Sequence, residues 1–220
     1  MDTLFWLDDD KSNSEFPPVS HALKDPEGLL AAGGNLTPEQ LMSAYSKGIF
    51  PWFEEGQPIL WWSPDPRCVI YPTQIRISRS LKKTLRNKPY KVTFDTVFAE
   101  VIEACSEPRR GSVGTWITDD MKAAYLRLFE QKKAHSVEIW NDDGALVGGL
   151  YGILLDKVFS GESMFSRERD MSKVALIYLA EWLKARQINL IDCQLPNPHL
   201  ETLGAVLIPR QKFVQDYLQL

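Results

Sequence analysis

The sequence predicts an α+β protein with a mostly antiparallel central sheet. From Tyr90 onward, strand-like and helix-like segments follow in the order β-α-α-β-β-β-α-β-α-β. Three of those strands come in succession, at 136–140, 146–154 and 158–165, and Asn141-Asp142-Asp143-Gly144 supplies the first hairpin turn. A length of 220 residues fits one main domain with a small annex.

Residues 1–65 read as a small N-terminal domain and 66–220 as the main one, with a basic helix near its start. The first part is punctuated by Pro17-Pro18, Pro26 and Gly33-Gly34. Thr37 caps a helix with Pro38 at its first position and Gln40 three residues after the cap. Leu41, Ala44 and Tyr45 follow at helical spacing, and Gly48 closes the helix. In the main part, Ser78 caps a short helix that Pro89 terminates. Tyr90–Phe94 reads as a strand, and Asp95 as the cap of a helix carrying Val97, Val101 and Ile102. A polar loop over 107–114 includes Arg109-Arg110-Gly111. Thr118 caps a second helix, with Asp119 and Asp120 complementing its dipole. After the three strands come a helix from Met171 to Arg186, a strand from Ile188 to Leu195, and a short helix from Pro198. A strand over Val206–Pro209 and a last helix close the chain.

Composition narrows the function. A quarter of the residues are charged and 44% are hydrophobic, as in ordinary globular proteins. Three scattered cysteines without a CxxC pair argue against a disulfide scaffold or zinc ribbon. Asp8, Asp9 and Asp10 stand where a signal peptide carries basic residues, and no apolar run is long enough to span a membrane. The expectation is a soluble, cytoplasmic protein. The net charge of −4 hides a segregation: residues 66–94 carry eight basic and no acidic residues. They are Arg67, Arg76, Arg79, Lys82, Lys83, Arg86, Lys88 and Lys91. Arg79, Lys82, Lys83 and Arg86 share one helix face, opposite Leu81 and Leu85. Such a ridge suits a phosphate backbone, and a solvated surface helix would look the same.

Two strand ends carry unusual polar residues. Asp192 and Gln194, at i and i+2, fall on one side of a strand, where the carboxylate can accept from the amide. Glu162, Met164 and Ser166 likewise share a face by alternation. Each set also fits a structural polar pair or a solvated rim. Trp52, Trp61, Trp62 and Trp116 offer flat faces for stacking a base, or fill a core. His21, His135 and His199 lack ligand spacing, so no metal site is expected. No nucleophile elbow, Walker A loop or Rossmann fingerprint occurs. Ser166-Arg167-Glu168-Arg169-Asp170 stands where an acyl-CoA acetyltransferase would place its Gly-rich turn.

Six stretches together resemble one family. They are Gly28-Leu29-Leu30-Ala31-Ala32-Gly33-Gly34-Asn35-Leu36, Gly48-Ile49-Phe50-Pro51-Trp52-Phe53, Leu60-Trp61-Trp62-Ser63-Pro64-Asp65-Pro66-Arg67, Gly114-Thr115-Trp116-Ile117-Thr118, Gly161-Glu162-Ser163-Met164-Phe165-Ser166 and Ile191-Asp192-Cys193-Gln194. The chain is similar in these to bacterial leucyl/phenylalanyl-tRNA–protein transferases. By this resemblance the C-terminus is expected to be shorter than the family's extended tail, and Pro196-Asn197-Pro198-His199 stands where some relatives carry a different short linker.

The resemblance implies a small N-terminal domain joined to an acetyltransferase-like (GNAT-like) domain. It implies transfer of Leu, Phe and less well Met from aminoacyl-tRNA to an N-terminal Arg or Lys of a protein. The product is a degradation signal of the N-end rule, and neither metal nor coenzyme A takes part. The implied catalytic residues are Gln194, Asp192 and Glu162. Leu150, Met164, Ser166, Leu176, Leu179 and Ile191 would line the side-chain pocket. Trp52 and Trp116 would contact the terminal adenosine, and Arg76, Arg79, Lys82, Lys83 and Arg86 the tRNA phosphates. The implied partners are Leu-tRNA, Phe-tRNA and proteins with N-terminal Arg or Lys, met by a monomer away from any membrane. Two other classes fit the residues: a CoA-dependent N-acetyltransferase on the same scaffold, and a non-catalytic RNA-binding module.

Overall fold

A computed structural model describes residues 4–108 and 115–218. Arg109-Arg110-Gly111 and Gly114 lie outside them. The strands are β1 (Phe5–Leu7), β2 (Leu29–Gly33), β3 (Phe50–Pro51), β4 (Leu60–Trp62), β5 (Arg67–Ile70), β6 (Lys91–Phe94), β7 (Ala134–Trp140), β8 (Leu146–Leu155), β9 (Val158–Ser166), β10 (Leu190–Gln194) and β11 (Val206–Ile208). The helices are α1 (Pro38–Ser46), α2 (Arg79–Asn87), α3 (Phe98–Ser106), α4 (Asp119–Glu130), α5 (Met171–Ala185), α6 (Pro198–Thr202) and α7 (Arg210–Tyr217).

The strands form two sheets. The first 65 residues contribute a four-stranded sheet in the order β1-β2-β4-β3. The rest build a seven-stranded sheet in the order β11-β5-β10-β9-β8-β7-β6. The larger sheet is antiparallel except for β9 against β10. This is the α+β arrangement with a mostly antiparallel sheet that the alternation predicts.

The caps explain where several helices begin. The Thr37, Ser78 and Thr118 hydroxyls accept from the backbone N–H groups of Gln40, Leu81 and Met121. Asp95 does not cap α3. Its carboxylate reaches across to the Ser136 N–H and the His135 ring, both at 2.8 Å, and α3 starts at Phe98 after Val97, which provides no side-chain cap. The cross-strand partner outcompetes the local one.

One face of the large sheet is covered by α5, which buries Val174, Leu176, Leu179 and Leu183 against Val137, Leu150 and Phe159. The other face is covered by α3 and α4. Their apolar residues, among them Val101, Ile102, Met121 and Leu128, merge with Leu30, Leu41, Ile49 and Trp61 of the N-terminal part into one core. A smaller cluster under α7 joins Phe213 to Val69, Val158 and Leu190.

The β9–β10 pairing places the site. The two strands are hydrogen-bonded only from Val158–Leu190 to Ser160–Asp192. Beyond that point β9 continues to Ser166 alongside β8, while β10 stops at Gln194. The sheet is therefore open between Glu162–Ser166 and Cys193–Gln194.

Candidate active site

A cavity of about 370 Å³ fills that opening. Leu150, Met164, Leu176, Leu179 and Ile191 form its apolar wall, and Ser166 stands at its edge. These are six of the eight residues expected to bind substrate. Leu150 and Met164 are directly paired across β8 and β9, so their side chains stand together on the α5 face. Ser166 is engaged in the turn before α5, where its hydroxyl donates to the Glu168 carbonyl at 2.7 Å and accepts from the Ser172 N–H.

The two tryptophans expected at the adenosine do not line the cavity. Trp52 is 41% exposed and meets Trp62 edge-on, with ring centroids 5.6 Å apart. Trp116 is half-buried against the core beside α4.

The polar end of the cavity is an ordered array. Asp192 is buried, 1% exposed, and its carboxylate is gripped by Arg67. Arg67 Nε donates to Oδ1 at 2.8 Å and Nη2 to Oδ2 at 2.7 Å. Nη1 donates to the Gly48 carbonyl at 3.0 Å, and the guanidinium lies between the rings of Phe50 and Phe213. Arg67 thus ties β5 and β10 to the N-terminal part and to α7. Gly48, at φ +74°, makes room for this: a side-chain carbon there would come within 3.1 Å of the Phe213 ring.

The spacing argument for Asp192 and Gln194 needs correction. A bulge in β10 between these two residues breaks the two-residue period. Gln194 adopts φ +58°, and its backbone N–H, not its amide, donates to Asp192 Oδ1 at 3.0 Å. The Gln194 side-chain Nε2 instead donates to Glu162 Oε1 at 3.4 Å. The Gln194 amide oxygen is left as an acceptor for a third group.

Glu162 also departs from simple alternation. The β8–β9 register shifts there, so that Tyr151 pairs with Ser163 and Gly152 with Gly161. Glu162 is the extra residue, and it turns to the α4 side, where Tyr125 Oη donates to Oε2 at 2.6 Å. Met164 packs toward α5. Behind Tyr125, the Tyr45 hydroxyl lies 2.7 Å from the Tyr125 hydroxyl. Burial pushes the Glu162 carboxyl up to about 7, against the opposing pull of the tyrosine hydrogen bonds. Burial, and then the Glu162 charge, push the Tyr125 and Tyr151 hydroxyls well above the usual phenol range, so both stay neutral.

Arg67, Tyr125 and Tyr45 were not singled out by the sequence. Arg67 counts there only as one of eight basic residues in a segment without carboxylates, and it is 1% exposed. The available signal was the apolar run Cys68-Val69-Ile70 directly after it, which marks a buried strand. The tyrosines sit at helix positions that read as ordinary core.

The basic helix is as expected in outline. Arg76, Arg79, Lys82, Lys83 and Arg86 are all exposed, and among the described residues none forms an ion pair with a carboxylate. Leu81 anchors α2 against the α5-side core. Lys88, by contrast, pairs with Glu168 at 2.6 Å. Among the described residues there is no cluster of His, Cys, Asp and Glu able to hold a metal, and no helix long and apolar enough to cross a membrane.

Two family profiles match the chain in tandem. Residues 34–65 match the leucyl/phenylalanyl-tRNA protein transferase N-terminal domain, and 69–218 the leucyl/phenylalanyl-tRNA protein transferase proper. A leucyl/phenylalanyl-tRNA–protein transferase of Azoarcus sp. (strain BH72) is 58% identical over 208 residues, covering 94% of this chain and 87% of its own. Among solved structures, FemX overlaps 83% of this chain and 71% of its own at 10% identity and a TM-score of 0.49. A ribosomal-protein-alanine N-acetyltransferase from Brucella melitensis biovar Abortus 2308 overlaps 59% and 90% at 13% identity and a TM-score of 0.37.

Proposed function

The chain belongs to the leucyl/phenylalanyl-tRNA–protein transferase family, and on that footing we propose that it moves Leu or Phe from aminoacyl-tRNA to the N-terminal Arg or Lys of a protein. The observation that carries the reading is the cavity between β9 and β10. Its apolar wall suits a γ-branched or aromatic side chain, and its polar end presents Gln194 and Glu162. The product would be a protein marked for degradation by the N-end rule. The reaction belongs in the cytoplasm, where aminoacyl-tRNA is made, with a monomer as the working unit. Residues 1–65 are read as the smaller domain and 66–220 as the acetyltransferase-like catalytic one.

The chemistry asks for positioning more than for strong acid or base. The donor is an ester, already activated, and the nucleophile is an α-amino group with an ordinary pKa of about 7.7–8.0, so roughly a tenth or more is free amine at pH 7. The amine nitrogen attacks the ester carbonyl carbon, the new C–N bond forms, and the bond to the ribose oxygen breaks. The Gln194 amide oxygen accepts a hydrogen bond from the attacking amine and aims its lone pair. The departing proton goes to the ribose oxygen. Asp192 acts through the backbone: it holds the Gln194 N–H and fixes the bulge that presents the amide. Arg67 balances its charge. Glu162 holds the Gln194 amide from the other side and offers a carboxylate to a substrate amino group. Trp52 and Trp116 would meet the terminal adenosine. The exposed ridge of Arg76, Arg79, Lys82, Lys83 and Arg86 would follow the acceptor-stem phosphates without reading bases.

Incubation of labelled leucyl-tRNA with a protein bearing N-terminal Arg is expected to give labelled protein. Acetyl-CoA in place of the tRNA is expected to give none. Failure of the first transfer at every salt concentration would overturn the reading.

A further inference from the structure

Two thiols stand behind Gln194, and the mechanism above uses neither. Cys193 precedes Gln194 in β10, is half-buried and lines the cavity. Cys68 lies in β5 and is 1% exposed. The register sets them against each other. Asp192 pairs with Val69 and Gln194 with Cys68, so Cys193 is the extra residue that the bulge places opposite Cys68. Both stand on the α5 face of the sheet: Cys193 packs against that core, and Cys68 alternates with Ile70, which belongs to it. Both are free thiols. They are hydrogen-bonded to each other, and this bond holds the Cys68 thiol below its ordinary range. The same bond, and then burial, push the Cys193 thiol up. The pair thus releases one proton readily and keeps the other between its two sulfurs.

We propose that Cys68 and Cys193 form a reversible oxidation site, a dithiol that a peroxide converts to a disulfide, and that this disulfide switches the transferase off. Only the last clause rests on the transferase reading above. Geometry supports the bond. A disulfide needs its α-carbons about 4.4–6.8 Å apart, and residues facing each other across antiparallel strands stand about 4.5–5.5 Å apart. Access supports the order of events. Cys193 opens onto the cavity, which a molecule as small as hydrogen peroxide can enter, whereas Cys68 is sealed behind it. The pair loses one proton, and the other crosses to Cys68, leaving the thiolate at Cys193. That sulfur attacks one oxygen of the peroxide: an S–O bond forms, the O–O bond breaks, and hydroxide leaves and is protonated to water. The Cys68 thiolate then attacks the sulfenic sulfur of Cys193: the S–S bond forms, the S–O bond breaks, and a second water leaves. The two thiols lose two electrons, their two protons end in water, and the peroxide is reduced to two waters. Where thiols are normally kept reduced, a disulfide of this kind is transient and sensing, not a staple. Its effect on transfer follows from the bulge. Gln194 is the next residue after Cys193 and keeps its φ of +58° through its N–H bond to Asp192. Drawing Cys193 toward β5 displaces the Gln194 amide from Glu162, a contact already 3.4 Å long.

The test treats the full chain with hydrogen peroxide, and compares wild type with Cys68→Ala and Cys68→Val. Each protein is followed by intact mass, by peptide mapping, by thermal midpoint, and by leucine transfer before oxidation, after it and after dithiothreitol. Wild type is expected to lose the mass of two hydrogens, to yield a peptide joining Cys68 to Cys193, and to keep Cys105 as a thiol. Its transfer is expected to fall about tenfold or more and to return with dithiothreitol. Either folded Cys68 variant is expected to form no such bond and to show no loss of transfer that dithiothreitol restores. Wild type that forms no Cys68–Cys193 bond overturns the site. Wild type that forms the bond and transfers at its full rate overturns the switch, and so does a folded Cys68 variant that is inhibited and restored as wild type is. Reduced wild type that transfers no leucine would instead overturn the transferase reading, while the mapped peptide still decides the site.

Discussion

Arg67 holds both carboxylate oxygens of Asp192, at 2.8 and 2.7 Å, with each side chain 1% exposed. A pair this buried costs desolvation when it forms and costs more when half of it is removed. Asp192→Ala would leave a buried guanidinium between two aromatic rings without its counter-charge. The expected outcome is a loss of about 3–5 kcal/mol in unfolding free energy alongside the loss of transfer. Urea titration of Asp192→Ala and Arg67→Ala checks this, and native-like midpoints in both would contradict it.

Glu162 sets a pH dependence with a definite sign. Its carboxyl is raised by burial from 4.5 to about 7. Between those values the folded state holds the proton more tightly than the unfolded chain, so stability falls as pH rises through that window. Glu162→Gln removes the effect. The thermal midpoint of the variant relative to wild type is expected to rise between pH 5 and pH 8. The wild-type kcat/KM profile is expected to show an inflection near 7 that the variant lacks.

The ridge on α2 makes a quantitative claim about salt. Replacing both Lys82 and Lys83 by Ala is expected to weaken tRNA binding and to lower the slope of log K against log salt by roughly 1.5–2. Lys88→Ala is expected to change the slope less, because Lys88 already pairs with Glu168. Filter binding across a salt series reads both effects.

Leu176 is 3% exposed and stands in the apolar wall. Leu176→Phe is expected to fill part of the slot and to lower transfer of Phe more than of Leu. A shift of about tenfold in the Leu-to-Phe ratio of kcat/KM corresponds to ~1–3 kcal/mol of pocket discrimination. Competition between the two charged tRNAs measures it.

Much of this was legible in the chain itself. The larger sheet announces itself through long strands, a hairpin turn and helices with capping residues. The cavity wall is not legible from periodicity: Leu150, Met164, Ser166, Leu176, Leu179 and Ile191, which line the cavity, are assigned to it only by the family resemblance. The small sheet is not legible in this way, because β1, β3 and β4 have three, two and three residues and lack any period to read. Alternation fails at Glu162 and Gln194 for one reason: each sits at a break in strand register, and a bulge resets which side a residue faces. Arg67 is hidden for another reason. A charge count cannot tell a surface arginine from one buried against a carboxylate 125 residues away.

The role of Gln194 is tested by separating chemistry from binding. Gln194→Ala is measured for its single-turnover transfer rate from saturating leucyl-tRNA and for its Kd for the same tRNA. The rate is expected to fall about a hundredfold or more, with Kd within about twofold of wild type because the basic ridge on α2 is untouched. A rate equal to wild type in the folded variant would contradict the assignment of the β9–β10 opening as the place where the peptide bond forms.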